Sequence, residues 1–204
     1  YDFYFVGENK LGFLIADVSG KGIPAAMFMM TAKTIIKGYA EAGRAVDEVF
    51  TVANAKLCES NEAGMFVTAW MGVLDITTGK IEFANAGHNP PLVRHADGSF
   101  EFLKSKPGFI LAGMEGLKYR KNELVLSAGD EIYLYTDGVT EATNAENELY
   151  GEKRLVKLLD SLHGLSGEDI CRAVKADIDA FAGDAPQFDD ITMLYLKYNG
   201  GSEK

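Results

Sequence analysis

The chain predicts an α+β fold: a four-layer α-β-β-α sandwich with two central, mostly antiparallel sheets and a helix pair on each outer face. Three observations predict it. Element types run in blocks of two helices, a series of strands, two further helices and a closing strand. The strands are joined by connections of hairpin length, which favour antiparallel pairing. They are also too many for one sheet to absorb comfortably, so two packed sheets with helices outside bury the apolar faces best.

The first strands, "YDFYFV" and "LGFLIAD", flank the turn signal Gly7-Glu8-Asn9 and read as a hairpin. Pro24 suits the first turn of a helix that runs to about Gly43. A second helix follows, because Val46, Val49, Phe50, Ala53 and Leu57 recur at the spacing of one helical face. "MFVTAWMGVLD" and "KIEFANA" are joined by Thr77, Thr78 and Gly79, and "PPLVRH" and "SFEFLK" by Ala96, Asp97 and Gly98. "YRKNELVLS" and "DEIYLYTD", joined by Ala128 and Gly129, read as another hairpin. Leu155, Leu158, Leu159 and Leu162 mark a third helix, and Ile170, Val174, Ile178 and Phe181 a fourth. "DDITMLYLKY" closes the series, and residues 199–204 read as a flexible tail after a domain spanning 1–198.

Composition narrows the function classes. The 204 residues suffice for one sizeable domain. A net charge of −10 argues against a nucleic-acid partner and against membrane contact by this domain. Cys58 and Cys171 stand alone without a C-x-x-C, so a reducing, cytoplasmic setting is expected. No run approaches the length of a membrane span.

Three acidic sites share one pattern. Asp17 ends "LGFLIAD", Asp137 ends "EIYLYTD", and Asp189 and Asp190 open "DDITMLYL". Acids at the ends of apolar strands are costly unless something neutralises them. If the ends converge, mutual repulsion raises their pKa values or calls in a cation, and oxygen donors suit Mg²⁺ or Mn²⁺. Zinc is excluded, because His88, His95 and His163 form no ligand-spaced pair. After Asp17 come Ser19, Gly20, Lys21 and Gly22, where bare glycine backbone and a helix start suit an approaching phosphoryl group. The same residues also suit an ordinary strand-to-helix turn. They are not a Walker A loop, and no G-x-S-x-G surrounds any serine.

Together "LGFLIADVSGKGIPAAMFM", "FANAGHNPPLV", "YLYTDGVTEATN" with "YGEKRL", and "FDDITMLYL" resemble the metal-dependent (PPM-type) serine/threonine phosphatases, in their bacterial SpoIIE-like branch. The blocks occur in the family's order over nearly the whole chain. The resemblance implies the sandwich fold, two Mn²⁺ or Mg²⁺ ions, and attack by a metal-bridged water on phosphoserine or phosphothreonine. The implied partner is a phosphorylated protein, typically a small anti-anti-sigma factor. By position Asp17 matches the acid that bridges both metals, and Val18 the residue whose carbonyl ligates one of them. Asp137 and Asp189 match further ligands, while Asp190 stands where asparagine is frequent. Ser19, Gly20, Lys21, His88 and Asn89 are candidates for the substrate side, although a lone histidine near a turn is more often a structural hydrogen-bond partner and His88 is assigned no chemical role; residues 138–150 resemble a variable flap.

One departure stands out. The family's opening glycine-glycine-acid would lie upstream of Tyr1, so a truncated N-terminal strand and an upstream regulatory domain are expected. Two alternatives stay open: a phosphatase-fold domain that binds a phosphoprotein or regulator without turnover, and an aspartyl-phosphatase, whose D-x-D motif Asp17-Val18-Ser19 does not supply.

Overall fold

The structure, a computed structural model, describes residues 1–59, 61–96, 98–187 and 189–201. In chain order the elements are β1 (Asp2–Phe5), β2 (Lys10–Val18), α1 (Gly22–Glu41), α2 (Val46–Cys58), β3 (Val67–Asp75) and β4 (Lys80–Ala86). There follow β5 (Leu92–Arg94), β6 (Glu101–Phe102), β7 (Asn122–Val125), β8 (Glu131–Tyr135), α3 (Asp137–Thr140), α4 (Glu152–Ser161), α5 (Gly167–Ala182) and β9 (Met193–Lys197). They form two compact units, Tyr1–His88 with Ser105–Leu126, and Asn89–Lys104 with Ser127–Asn199.

In the first unit five antiparallel strands lie in the order β1-β2-β3-β4-β7. Strand alternation sends Leu14, Met71 and Ala84, which are register partners, to one face. There they pack with Phe28, Ala32 and Ile36 of α1 and with Val49, Phe50, Ala53 and Leu57 of α2. The opposite face carries Phe13, Ile15, Trp70 and Phe83, all buried. Trp70 sits between Phe13 and Phe83, with ring centroids at 5.4 and 5.3 Å.

In the second unit the antiparallel order is β6-β5-β8-β9. Leu92, Tyr133 and Tyr135 meet Leu155 and Leu159 of α4 and Ile170, Val174 and Ile178 of α5. Ser166 caps α5, its hydroxyl accepting from the Asp169 N–H. The α+β class and the two antiparallel sheets, each with its own helix pair, match the sequence-based expectation.

Two readings need correction. Residues 119–127 and 130–137 do not form a hairpin: β7 pairs with β4 in the first sheet, and β8 with β5 and β9 in the second. The Leu126 N–H still bonds Gly79 O at 2.9 Å, whereas the Gly129 N–H bonds Tyr198 O at 2.7 Å. The chain changes partners across a turn held by the buried Asp130 carboxylate, which accepts from the Ser127 and Ala96 N–H groups. Second, β8 stops at Tyr135 and β9 starts at Met193, so Asp137 opens α3 and Asp189 lies in the loop before β9 rather than at strand ends. Asp97, Phe188 and residues 202–204, which fall in the expected β5–β6 turn, the closing motif and the tail, lie outside the described residues.

Candidate functional site

Asp17 is the penultimate residue of β2, half-buried, and faces Thr68 across β2 and β3; Val18 faces Val67. The next residue locks the exit from the strand. The Ser19 N–H donates to Phe66 O at 2.9 Å, and the Ser19 hydroxyl accepts from the Phe66 N–H at 2.8 Å. Gly20 and Gly22 take φ of +84° and +77°, which glycine adopts without strain. Lys21, exposed, stands at the N-cap of α1 without a side-chain cap, and the first turn of α1 holds no acid. The helix start thus keeps its partial positive charge beside the loop that follows Asp17.

Thr68 Oγ1 also lies 2.9 Å from Nδ1 of His88. His88, 4% exposed, is gripped at its backbone by Asn85: its N–H donates to Asn85 Oδ1 at 2.8 Å, and Asn85 Nδ2 donates to its carbonyl at 2.9 Å. Gly87 reaches φ +72°, and a Cβ there would meet Ile110 Cγ2 at 2.8 Å, so the turn admits little else. Asn89, in the second unit, sits beside the hydroxyl of Tyr135, whose ionisation burial pushes up to about 12.

The second unit sets the backbone of the 189–192 loop against the turn that carries Asp137. Asp137 opens α3, separated from β8 by Thr136 alone, and its Oδ1 is buried with no hydrogen-bond partner among the described residues. Antiparallel pairing of Tyr135 with Met193 sets the 189–192 loop beside this turn. The Thr136 N–H donates to Thr192 O, and its hydroxyl donates to Asp190 O and accepts from the Thr192 N–H, each at 3.0 Å. A Cβ on Gly138 would lie 2.3 Å from Asp190 O. The Asp190 N–H in turn donates to Asp189 Oδ1 at 2.8 Å. Beside Gly138 opens a pocket of about 180 Å³, lined by Ala142 and Thr143 of the flap, Ile178 and Ala182 of α5, and Ile191.

A buried carboxylate oxygen without a partner calls for an explanation. As a buried carboxylate oxygen left open, Asp137 Oδ1 fits a hard divalent cation in its donor chemistry. Among the described residues no group of three or more His, Cys, Asp or Glu side chains could hold a metal ion. Asp17 belongs to the first unit, and Asp137 and Asp189 to the second. Sequence reasoning missed Thr136, Gly138, Thr68 and Asn85. Thr136 and Gly138 flank Asp137, which was the available signal, whereas Thr68 and Asn85 carry none that a sequence shows without the fold.

Comparison with known proteins identifies the fold and the family. Solved structures of PP2C phosphatase domains share the fold: the SiaA-PP2C domain of Pseudomonas aeruginosa superposes with a TM-score of 0.83 at 21% identity, covering 97% of this chain and 79% of that one. RsbX, solved in complex with magnesium, does so with a TM-score of 0.68 at 15% identity, covering 95% and 84%. The chain therefore has the fold of a PP2C-type phosphatase domain. It belongs to the SpoIIE family, whose model, described as stage II sporulation protein E, matches residues 7–199. The phosphoserine phosphatase RsbU of Bacillus subtilis is 29% identical over 199 residues, covering 96% of this chain. The chain spans 58% of the length of RsbU, and 35% and 36% of two further curated relatives.

Proposed function

We propose that this chain is a metal-dependent phosphatase domain that hydrolyses phosphoserine or phosphothreonine on a partner protein. The observation that carries this reading is the buried, unpartnered Oδ1 of Asp137 beside the Asp189–Asp190 turn, in a chain related to a phosphoserine phosphatase. Asp17, Asp137, Asp189 and the Val18 carbonyl are the proposed ligands of two Mn²⁺ or Mg²⁺ ions. When bound, such ions supply Lewis acidity and a water of lowered pKa.

The remaining chemistry falls to this chain's own residues. Ser19 fixes the loop by its paired bonds to Phe66, so Gly20 and Gly22 offer bare backbone and the start of α1 to a phosphate. Lys21 adds a positive charge on the substrate side. His88 is tied into the scaffold through Asn85 and Thr68, and with the neighbouring Asn89 it serves to shape that side. Among flap residues, Ala142 and Thr143 line a pocket suited to a side chain of the partner. Small anti-anti-sigma factors are the proposed partners, and the two free cysteines suit a cytoplasmic setting.

One observation favours the second reading, binding without turnover: no group of three acids gathers among the described residues. Release of phosphate from a serine-phosphorylated anti-anti-sigma factor separates the two. The phosphatase reading expects turnover with Mn²⁺ and none in EDTA, whereas retention of the phosphoprotein without turnover under both conditions supports the second.

A further inference from the structure

The turn that carries Asp137 and the loop that carries Asp189 are joined through a single side chain. Thr136 is 1% exposed, and its hydroxyl donates to Asp190 O while accepting from the Thr192 N–H, both at 3.0 Å. A hydroxyl is the small group able to do both at once. Two residues on, Gly138 comes so close that a Cβ would lie 2.3 Å from Asp190 O and 3.3 Å from Asp189 O. On the far side of the same peptide the Asp190 N–H holds Asp189 Oδ1 at 2.8 Å. Asp137 Oδ1, meanwhile, stays buried and without a hydrogen-bond partner among the described residues.

We propose that Thr136 is a positioning residue: its hydroxyl clasps the 189–192 loop to the 135–138 turn and presents Asp137 and Asp189 as a preset pair of oxygen donors for a hard divalent cation. The inference rests on the metal-binding reading above. Two carboxylates that shared a cation would repel each other in its absence, so an unrestrained loop would relax away from Asp137. A cation would then have to restore the geometry at the expense of its own affinity. A valine at 136 keeps the branched shape but leaves Asp190 O and the Thr192 N–H without that partner. A serine keeps both bonds.

The test is a calorimetric Mn²⁺ titration of the metal-free chain, with circular dichroism recorded beforehand to fix the folded fraction. Thr136→Val is expected to weaken Mn²⁺ binding by about tenfold or more, the range found for residues that orient metal ligands, with Thr136→Ser within about threefold of wild type. Should Thr136→Val fail to fold, Thr136→Ala is judged by the same measure. Wild-type affinity in the folded Val or Ala variant overturns the clasp, as does a Ser variant as weak as Val. A wild-type chain that binds no Mn²⁺ overturns the metal-binding reading and the clasp with it. Wild-type binding with unaffected variants overturns the clasp alone.

Discussion

Thr68 Oγ1 lies 2.9 Å from His88 Nδ1, and Thr68 is the residue that faces Asp17 across β2 and β3. Directly opposed residues of an antiparallel pair share a face with their Cβ atoms about 5 Å apart. The threonine thus stands between the acid of "LIAD" and the histidine of "AGHNPP", two motifs separated by most of the first unit. Asn85 completes the arrangement by binding both backbone groups of His88.

Asn85→Ala removes both of those bonds to the backbone of a buried residue. We expect a loss of about 2 kcal/mol, since each hydrogen bond removed contributes about 1 kcal/mol. Urea unfolding measures it, as a lower midpoint at unchanged slope.

Gly138→Ala places a methyl against backbone rather than against a mobile side chain, 2.3 Å from Asp190 O. The 189–192 loop must shift, and we expect about 1–3 kcal/mol of destabilisation, as for other overpacked sites. At Gly20 a Cβ would meet nothing within 4 Å, so Gly20→Ala costs only its left-handed φ, about 1 kcal/mol. Thermal melts of the two variants should rank in that order.

Much of this fold is legible in the sequence because periodicity reports burial. Val46, Val49, Phe50, Ala53 and Leu57 recur on one helical face, and all five are buried in α2. Partner choice is less legible. Residues 119–137 carry two strand patterns and a tight turn, yet β7 and β8 join different sheets, because hydrogen-bond partners lie far away in sequence. The acids stand out for their apolar surroundings, but strand ends do not. Asp137 reads as the end of β8 and instead opens α3, where Thr136 turns the chain by bonding Asp190 and Thr192.

Gly72→Ala tests the packing of the first sheet. A Cβ at Gly72 would lie 2.7 Å from Trp70 Cη2 and 2.9 Å from Phe13 Cζ, and both rings are fully buried. Close-packed rings cannot both yield, so the variant should lose about 1–3 kcal/mol in chemical unfolding.

Asp177 joins α5 to α4: the Arg154 guanidinium bonds both of its oxygens, at 2.8 and 2.9 Å, and the Tyr150 hydroxyl donates to it at 2.7 Å. Arg154 above all holds the Asp177 carboxyl below the usual carboxylate range. A lowered folded-state pKa gives stability that is present above the unfolded value, about 3.9, and is lost as pH falls through the folded value. Asp177→Asn should therefore melt below wild type at pH 7, and the gap should close as pH drops below about 4.

The most direct measurement is Mn²⁺-dependent phosphate release from a serine-phosphorylated anti-anti-sigma factor by wild type and Asp17→Ala, compared at equal folded fraction. The account predicts turnover by wild type that EDTA abolishes, and loss of most of it in Asp17→Ala at any Mn²⁺ concentration. Turnover by Asp17→Ala near the wild-type rate would contradict it.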